Sequence, residues 1–170
     1  YLWGCAVEAH RVGIPVMRPM LLEFPDDRAC THLDRQYMLG PSLLVAPVFD
    51  DEGDVEFYVP RGRWVGLLDG EVVEGPGWVR QRHDVHSLPL LVRPGAVIAL
   101  GSRSDRPDYD DAVAPSLEVF DLADGASSTT HLYDDQGRER VSVQVSRDGN
   151  QVVAQVVTGD VLPQGVEGEV

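Results

Sequence analysis

The first part of the chain has the hydrophobic pattern of a helix followed by a buried strand. Apolar side chains recur at helical spacing over residues 1–12, and charged side chains lie on the other face. Gly13 suits the left-handed position that ends a helix, and Pro15 prevents its continuation. Val16–Phe24 is nearly continuously apolar, although Pro19 cannot donate a hydrogen bond and indicates a bulge or a strand end. We therefore predict a helix joined to a parallel strand, as in an α/β unit.

The next segment combines an acidic turn with a second apolar run. Asp26 and Asp27 are adjacent, so their side chains point apart, and we interpret them as solvated turn residues. Thr31–Leu39 has an amphipathic pattern that opens on a good N-cap residue, which predicts a short helix. The length and content of Leu43–Val48 are typical of a buried strand.

From Phe49 onward the pattern changes to short alternating runs separated by turn residues. Val55–Val59 alternates as an antiparallel strand does, and similar runs recur along the rest of the chain. Asp148–Asn150 lies between alternating valines, which predicts a hairpin. The polar run Gly101–Ala114 indicates a boundary or linker between two sets of strands. Short strands at this spacing are typical of a β-sandwich or a barrel, so we predict a mainly β chain.

Composition narrows the possible partners. The chain has 170 residues, 43% of them hydrophobic, which is enough for one ordinary domain or two small ones. Its 14 basic and 28 acidic residues give a net charge of −14, which repels phosphate backbones, so we expect no nucleic-acid partner. No apolar run reaches the roughly 20 residues that span a membrane, so we expect no membrane partner. Cys5 and Cys30 form no disulfide framework, and reduced cysteines indicate a cytoplasmic protein.

Few side chains are spaced for catalysis or ligand binding. His83 and His86 would lie on opposite faces of a strand, so they indicate a turn and not a metal site. Tyr58, Trp64 and Trp78 are candidates for a sugar-stacking surface, although such residues in small sandwiches more often belong to the core or rim. We predict no catalytic residue, no metal site and no cofactor in this chain.

Four motifs give the chain a resemblance to an enzyme family. In their order and spacing they resemble glycoside hydrolase family 31, the α-glucosidase and α-xylosidase family. They are PVMRPMLLEFPDD at Pro15–Asp27, QYMLGPSLLVAPV at Gln36–Val48, YVPRGRW at Tyr58–Trp64 and LVRPGAVIAL at Leu91–Leu100. A fifth segment, DRPDYDD at Asp105–Asp111, is similar to the bacterial α-xylosidase branch in particular.

The resemblance implies a layout of three parts. Tyr1–Phe24 would hold the terminal helix and strand of a catalytic (β/α)8 barrel, which would make this chain the C-terminal part of a longer enzyme. Two small antiparallel β-sandwich domains would follow. The implied domains are the incomplete barrel end at 1–48, a proximal sandwich at 49–105 and a distal sandwich at 112–170.

The resemblance also implies a function. Family members are retaining glycosidases that use two aspartates, one as nucleophile and one as general acid/base. Both aspartates precede this segment in the family, so we expect the chain to be inactive alone. The implied enzyme removes terminal α-xylosyl residues from oligosaccharides or xylosides, which bind through the missing barrel. The alternatives are an α-glucosidase of the same family and a non-catalytic carbohydrate-binding or scaffold module.

Two polar residues of the implied barrel end are candidates for residues that support the barrel near its active-site face. Arg18 lies in an apolar run, where a lone charge is too costly, so we predict an ion pair that braces the barrel. Arg18 and Glu23 would lie nearest the active-site face, because barrel enzymes place their chemistry at strand C-termini. Members of the α-xylosidase branch often assemble as oligomers, so we expect a homo-oligomer for the complete enzyme.

Overall fold

The chain folds into two compact units. The computed structural model describes residues 1–103, 105–106, 114–159 and 165–169. Unit 1 combines Tyr1–Gly13 with Gly95–Val170, and unit 2 is Ile14–Pro94. Both consist mainly of antiparallel strands with few helices, which confirms the mainly β fold class. Within the described ranges, no helix is long and apolar enough to cross a membrane.

The boundaries predicted for the barrel end and the two sandwiches stay a prediction. Most of the predicted linker Gly101–Ala114, including most of the DRPDYDD segment, lies outside the described residues.

Unit 2 is built on a six-stranded antiparallel sheet in the order β1-β2-β3-β6-β4-β5. The strands are β1 (Met17–Arg18), β2 (Tyr37–Leu39), β3 (Leu43–Val45), β4 (Asp54–Gly66), β5 (Val72–Arg82) and β6 (Leu90–Val92). The long β4–β5 hairpin forms one edge of the sheet. The largest fully buried side chains of this unit include Trp64, Phe57, Met20, Met38 and Leu44.

The predicted buried strand Val16–Phe24 is wrong in its length and direction, although the strand end indicated at Pro19 is confirmed. Strand β1 has two residues and runs antiparallel to β2, and the chain then forms a helical turn, α2 (Met20–Glu23). Pro19 explains the change, because proline cannot donate to a strand ladder but suits the start of a helix.

The predicted helix Thr31–Leu39 is also wrong. A 3-10 helix, Arg28–His32, ends within this segment, and extended chain then leads into β2. Asp27 caps the 3-10 helix by accepting a hydrogen bond from the Ala29 backbone N–H at 3.0 Å. The helical turn therefore begins before Thr31, and the apolar residues assigned to a helix face belong partly to a strand.

In its described residues, unit 1 contains one helix and two three-stranded sheets. The elements are α1 (Leu2–Val12), β7 (Val97–Leu100), β8 (Ser116–Phe120), β9 (Ser127–Tyr133), β10 (Glu139–Asp148), β11 (Gln151–Thr158) and β12 (Gly165–Glu169). One sheet has the order β11-β10-β9, and the other has β12-β8-β7, in which β12 runs parallel to β8. The predicted hairpin at Asp148–Asn150 is confirmed, since it joins β10 to β11 with Gly149 at a φ of 57°.

Helix α1 confirms the helix predicted over residues 1–12, and it contacts the β9–β10 turn of its own unit. Gly13 ends the helix in the left-handed conformation, with a φ of 77°. The Trp3 indole N–H donates to the Asp134 carbonyl at 2.9 Å, and Arg11 Nη2 donates to the Gly137 carbonyl at 2.7 Å. The Arg11 guanidinium also lies 5.1 Å from the centre of the Tyr133 ring, within cation–π range. These contacts join the helix to the hairpin.

Candidate functional site

A half-buried carboxylate in unit 2, that of Glu23, pairs with two arginines. Arg18 is 3% exposed, and its Nη1 lies 2.8 Å from Glu23 Oε1, while its Nε donates to the Pro15 carbonyl. The other oxygen, Glu23 Oε2, lies 3.0 Å from Nη1 of Arg93, which precedes Pro94 in the LVRPG motif. The ion pair predicted for Arg18 is therefore present, while its role in supporting a barrel stays a prediction.

Sequence reasoning missed Arg93 as the third member of this network. Its guanidinium also lies 4.7 Å from the centre of the Phe24 ring and donates to the Pro41 carbonyl. The available signal was a charged residue directly after the apolar run of β6, which is the pattern that singled out Arg18.

Beside this network, unit 2 contains a cavity of about 520 Å³. The segment from Glu23 to Arg28 forms one side, strand β4 contributes the stretch around Pro60, and β5 contributes Pro76. Three carboxylates, those of Glu23, Asp26 and Asp27, and two guanidinium groups, those of Arg28 and Arg61, line it together with Phe24, Tyr58 and prolines. Polar and apolar residues thus line one concave surface, which carries more charge than the mostly apolar lining of a usual ligand site.

Asp27 and Tyr58 form the ordered centre of the cavity. Asp27 Oδ1 accepts from the Ala29 N–H, and Oδ2 accepts from the Tyr58 hydroxyl at 2.9 Å. Gln36 holds the backbone of Tyr58 on both sides, donating to its carbonyl and accepting from its N–H, each at 2.7 Å. Asp27 is therefore a fixed structural carboxylate and not merely a solvated turn residue.

The three candidate sugar-stacking aromatics occupy different environments. Trp64 is fully buried, and its indole N–H donates to the Pro60 carbonyl at 2.9 Å, so it has no free ring face for a sugar. Tyr58 is also buried, at 7% exposure, although it lines the cavity. Trp78 is 59% exposed, and its ring contacts that of Tyr58 edge-on at a centroid distance of 5.7 Å. Of the three, Trp78 alone has the exposure that stacking requires.

Burial changes the acidity of two groups beside Asp27. Burial raises the pKa of the Cys30 thiol from its ordinary 9.0 to about 11, and the negative charge of Asp27 adds to the effect. Burial also raises the pKa of the Tyr58 hydroxyl from 10.0 to about 12, and its hydrogen bond to Asp27 adds to the effect. Both groups are therefore protonated at neutral pH.

These shifts predict that unit 2 loses stability in alkali. Because both folded-state pKa values are raised, the unfolded chain releases these protons first. The stabilisation is fully present below pH 9 and is lost as the pH rises through about 11 and about 12. Urea midpoints measured across this range should fall, and they should fall less in Tyr58→Phe than in the matched control Tyr37→Phe. Equal pH dependence in the two variants would contradict the prediction.

The remaining polar clusters offer no metal site. No group of three metal-ligating side chains occurs in the portion of the chain that the structure describes. His83 has both ring nitrogens engaged, with Nδ1 at 3.1 Å from Ser87 Oγ and Nε2 at 3.0 Å from Gln81 Oε1. This arrangement agrees with the prediction of a turn at His83–His86.

Comparison with known proteins identifies the family. Residues 13–98 match the glycosyl hydrolase family 31 C-terminal domain, and residues 108–167 match the C-terminal domain of the alpha-xylosidase YicI. Alpha-xylosidase XylQ of Lactiplantibacillus pentosus is 36% identical over 87% of this chain and 20% of its own length. Alpha-xylosidase of Emericella nidulans is 47% identical over 64% of this chain and 15% of its own length. Alpha-glucosidase 2 of Bacillus thermoamyloliquefaciens is 34% identical over 81% of this chain and 17% of its own length.

Solved structures share the fold. A cycloalternan-forming enzyme from Listeria monocytogenes, in complex with a pentasaccharide substrate, superimposes with a TM-score of 0.73 and 28% identity, over 85% of this chain and 14% of that one. A family 31 dextranase from Flavobacterium johnsoniae gives a TM-score of 0.80 at 24% identity, over 91% of this chain and 20% of that one, and shows the fold alone. The chain spans 20% or less of the length of the alpha-xylosidases it matches. It belongs to glycosyl hydrolase family 31, and its sequence corresponds to the C-terminal β-domains of that family.

Proposed function

We propose that this chain is the C-terminal part of a retaining α-glycosidase that removes terminal α-xylosyl residues from oligosaccharides or xylosides. The observation that carries the proposal is the match of residues 108–167 to an alpha-xylosidase C-terminal domain. The similarity to alpha-xylosidases over most of the chain supports the same substrate class. The substrate would bind through a barrel supplied by the rest of the polypeptide.

In this proposal the chain supplies support and the barrel supplies the chemistry. Retaining glycosidases use two carboxyl groups about 5–5.5 Å apart, one as nucleophile and one as acid/base. Asp26 and Asp27 are adjacent in sequence, and both oxygens of Asp27 already accept hydrogen bonds from the chain. We therefore assign no catalytic residue here and expect the 170-residue chain to be inactive alone.

The barrel end and the two sandwiches are proposed as the wider layout. Residues 1–48 would close the barrel, with sandwiches at 49–105 and 112–170. The partly buried network of Arg18, Glu23 and Arg93 supports a bracing role beside that barrel, since the ion pairs join β1 and α2 to the residue that follows β6. A homo-oligomer and a cytoplasmic location remain parts of this proposal.

A second candidate is an α-glucosidase of the same family. The similarity to Alpha-glucosidase 2 favours it, and it covers a similar share of the chain. A non-catalytic carbohydrate-binding or scaffold module is the third candidate. The feature that suits it is the exposed Trp78, whose ring contacts that of the cavity-lining Tyr58.

Substrate preference separates the first two candidates. The complete polypeptide that carries this chain is assayed on p-nitrophenyl α-D-xylopyranoside and on the matching α-D-glucopyranoside. Xylose lacks the hydroxymethyl group of glucose, so a site shaped for it should favour the xyloside by roughly tenfold or more in kcat/KM. NMR of the first product should detect the α-anomer, as retention requires. A preference for the glucoside would select the second candidate, and inversion would overturn the mechanism.

A further inference from the structure

Trp78 is an exposed aromatic ring held in a fixed position. It lies directly opposite Tyr58 in the β4–β5 ladder, and its ring contacts the Tyr58 ring edge-on. Tyr58 is in turn fixed by its hydroxyl bond to Asp27 and by the Gln36 amide. An exposed tryptophan that rests on an ordered support loses little conformational entropy when a ligand stacks on it.

Three polar side chains that line the cavity have no partner in the part of the chain that the structure describes. Asp26, Arg28 and Arg61 line it, they are exposed, and none has a hydrogen-bond or ion-pair partner among the described residues. Arginines farther along the β5 face differ, since Arg80 pairs with Glu56 at 2.8 Å and Arg82 with Glu52 at 3.8 Å. Arg28 and Arg61 at the cavity thus differ from these two paired arginines.

The lining presents charged groups of both signs. Glu23 is already paired with Arg18 and Arg93, so the lining charges without a hydrogen-bond or ion-pair partner among the described residues are the Asp26 carboxylate and the Arg28 and Arg61 guanidinium groups. The whole chain carries a net charge of −14, which disfavours an anionic ligand. A pyranose is neutral, with hydroxyls on its rim and an apolar C–H face, so it can pair with both kinds of charged group and stack on a ring.

We propose that this cavity and Trp78 form a binding site for a neutral oligosaccharide. One pyranose ring stacks on the exposed face of Trp78, and its neighbour enters the cavity, where Arg28, Arg61 and Asp26 bond to its hydroxyls. The volume of about 520 Å³ lies within the range of about 300–1,000 Å³ that ligand sites occupy. The proposal deepens the proposed glycosidase function and rests on it only for the choice of ligand class.

Calorimetric titration of the complete polypeptide tests the site. The probes are xylotetraose, cellotetraose, maltotetraose and isomaltotetraose at millimolar concentrations. At least one should bind, and Trp78→Ala should weaken that binding roughly tenfold, a loss of about 1.4 kcal/mol, because it removes the ring on which the sugar stacks. Trp78→Phe keeps a smaller ring, so its affinity should lie between that of the wild type and that of Trp78→Ala.

Matched variants on the same strand face provide the controls. Val72→Ala alters another side chain of β5, itself 43% exposed, and should bind as the wild type does. Arg61→Gln should weaken binding, whereas Arg80→Gln, at an arginine already paired with Glu56, should not.

Two outcomes would overturn the site: none of the four saccharides binds, or Trp78→Ala binds as tightly as the wild type. Hydrolysis of the aryl α-xyloside is measured separately, so loss of the proposed function and loss of this site are distinguishable.

Discussion

Glu23→Gln should lower the free energy of unfolding of unit 2 by about 3 kcal/mol, because it removes the carboxylate that pairs with two arginines. The Arg18 side chain is almost fully buried and that of Glu23 is 14% exposed, so solvent compensates little for the lost charge. The amide keeps the size of the side chain and isolates the electrostatic effect. Urea unfolding, followed by tryptophan fluorescence, measures the change.

The matched control is Glu56→Gln. Glu56 also pairs with an arginine at 2.8 Å, but both side chains are exposed, so this variant should unfold as the wild type does. The double variant Arg18→Met with Glu23→Gln should recover part of the loss, because a buried apolar side chain replaces the uncompensated charge. If Glu23→Gln and Glu56→Gln were equally stable, the network of Arg18, Glu23 and Arg93 would not brace this unit.

Trp64→Ala should lower the free energy of unfolding by about 3–5 kcal/mol, the usual cost of deleting a large aromatic side chain from a core. Trp64 is fully buried, lies 6.1 Å from the Phe24 ring between centroids, and donates its indole N–H to the Pro60 carbonyl. The variant removes this packing and leaves the carbonyl without that donor. Urea midpoints measured by circular dichroism report the loss without relying on tryptophan emission.

Trp78→Ala is the control for residue type. It deletes the same side chain from an exposed position on the same hairpin, so its unfolding should stay close to that of the wild type. Equal losses in the two variants would contradict the assignment of Trp64 to the core and of Trp78 to the surface.

The sequence predicted those elements whose local signal is unambiguous. Gly13 ends α1, and Asp148–Asn150 turns the chain between two strands, because glycine adopts left-handed conformations that other residues avoid. The prediction from sequence failed at Val16–Phe24, because an apolar run is compatible with either a strand or a buried helical turn. The residues that follow Pro19 form a helical turn, and hydrophobic periodicity alone does not distinguish such a turn from a strand.

The candidate site was only partly predictable, since its parts come from distant segments. The need for a partner to Arg18 followed from its apolar surroundings, but Arg93 lies 70 residues beyond Glu23, and only the fold brings them together. Composition likewise cannot distinguish Trp64 from Trp78, which differ in burial and not in residue type. The cavity is lined by the Pro25–Arg28 turn, by β4 and by β5, and only the tertiary structure brings these segments together.

The proposed division of roles between this chain and a catalytic barrel is tested most directly by one comparison. The 170-residue chain and the complete polypeptide that carries it are incubated with p-nitrophenyl α-D-xylopyranoside under the same conditions. We predict that the complete polypeptide releases p-nitrophenol and that the chain alone releases none. Hydrolysis by the chain alone would place catalytic groups within it, and no hydrolysis by either would contradict the α-xylosidase function.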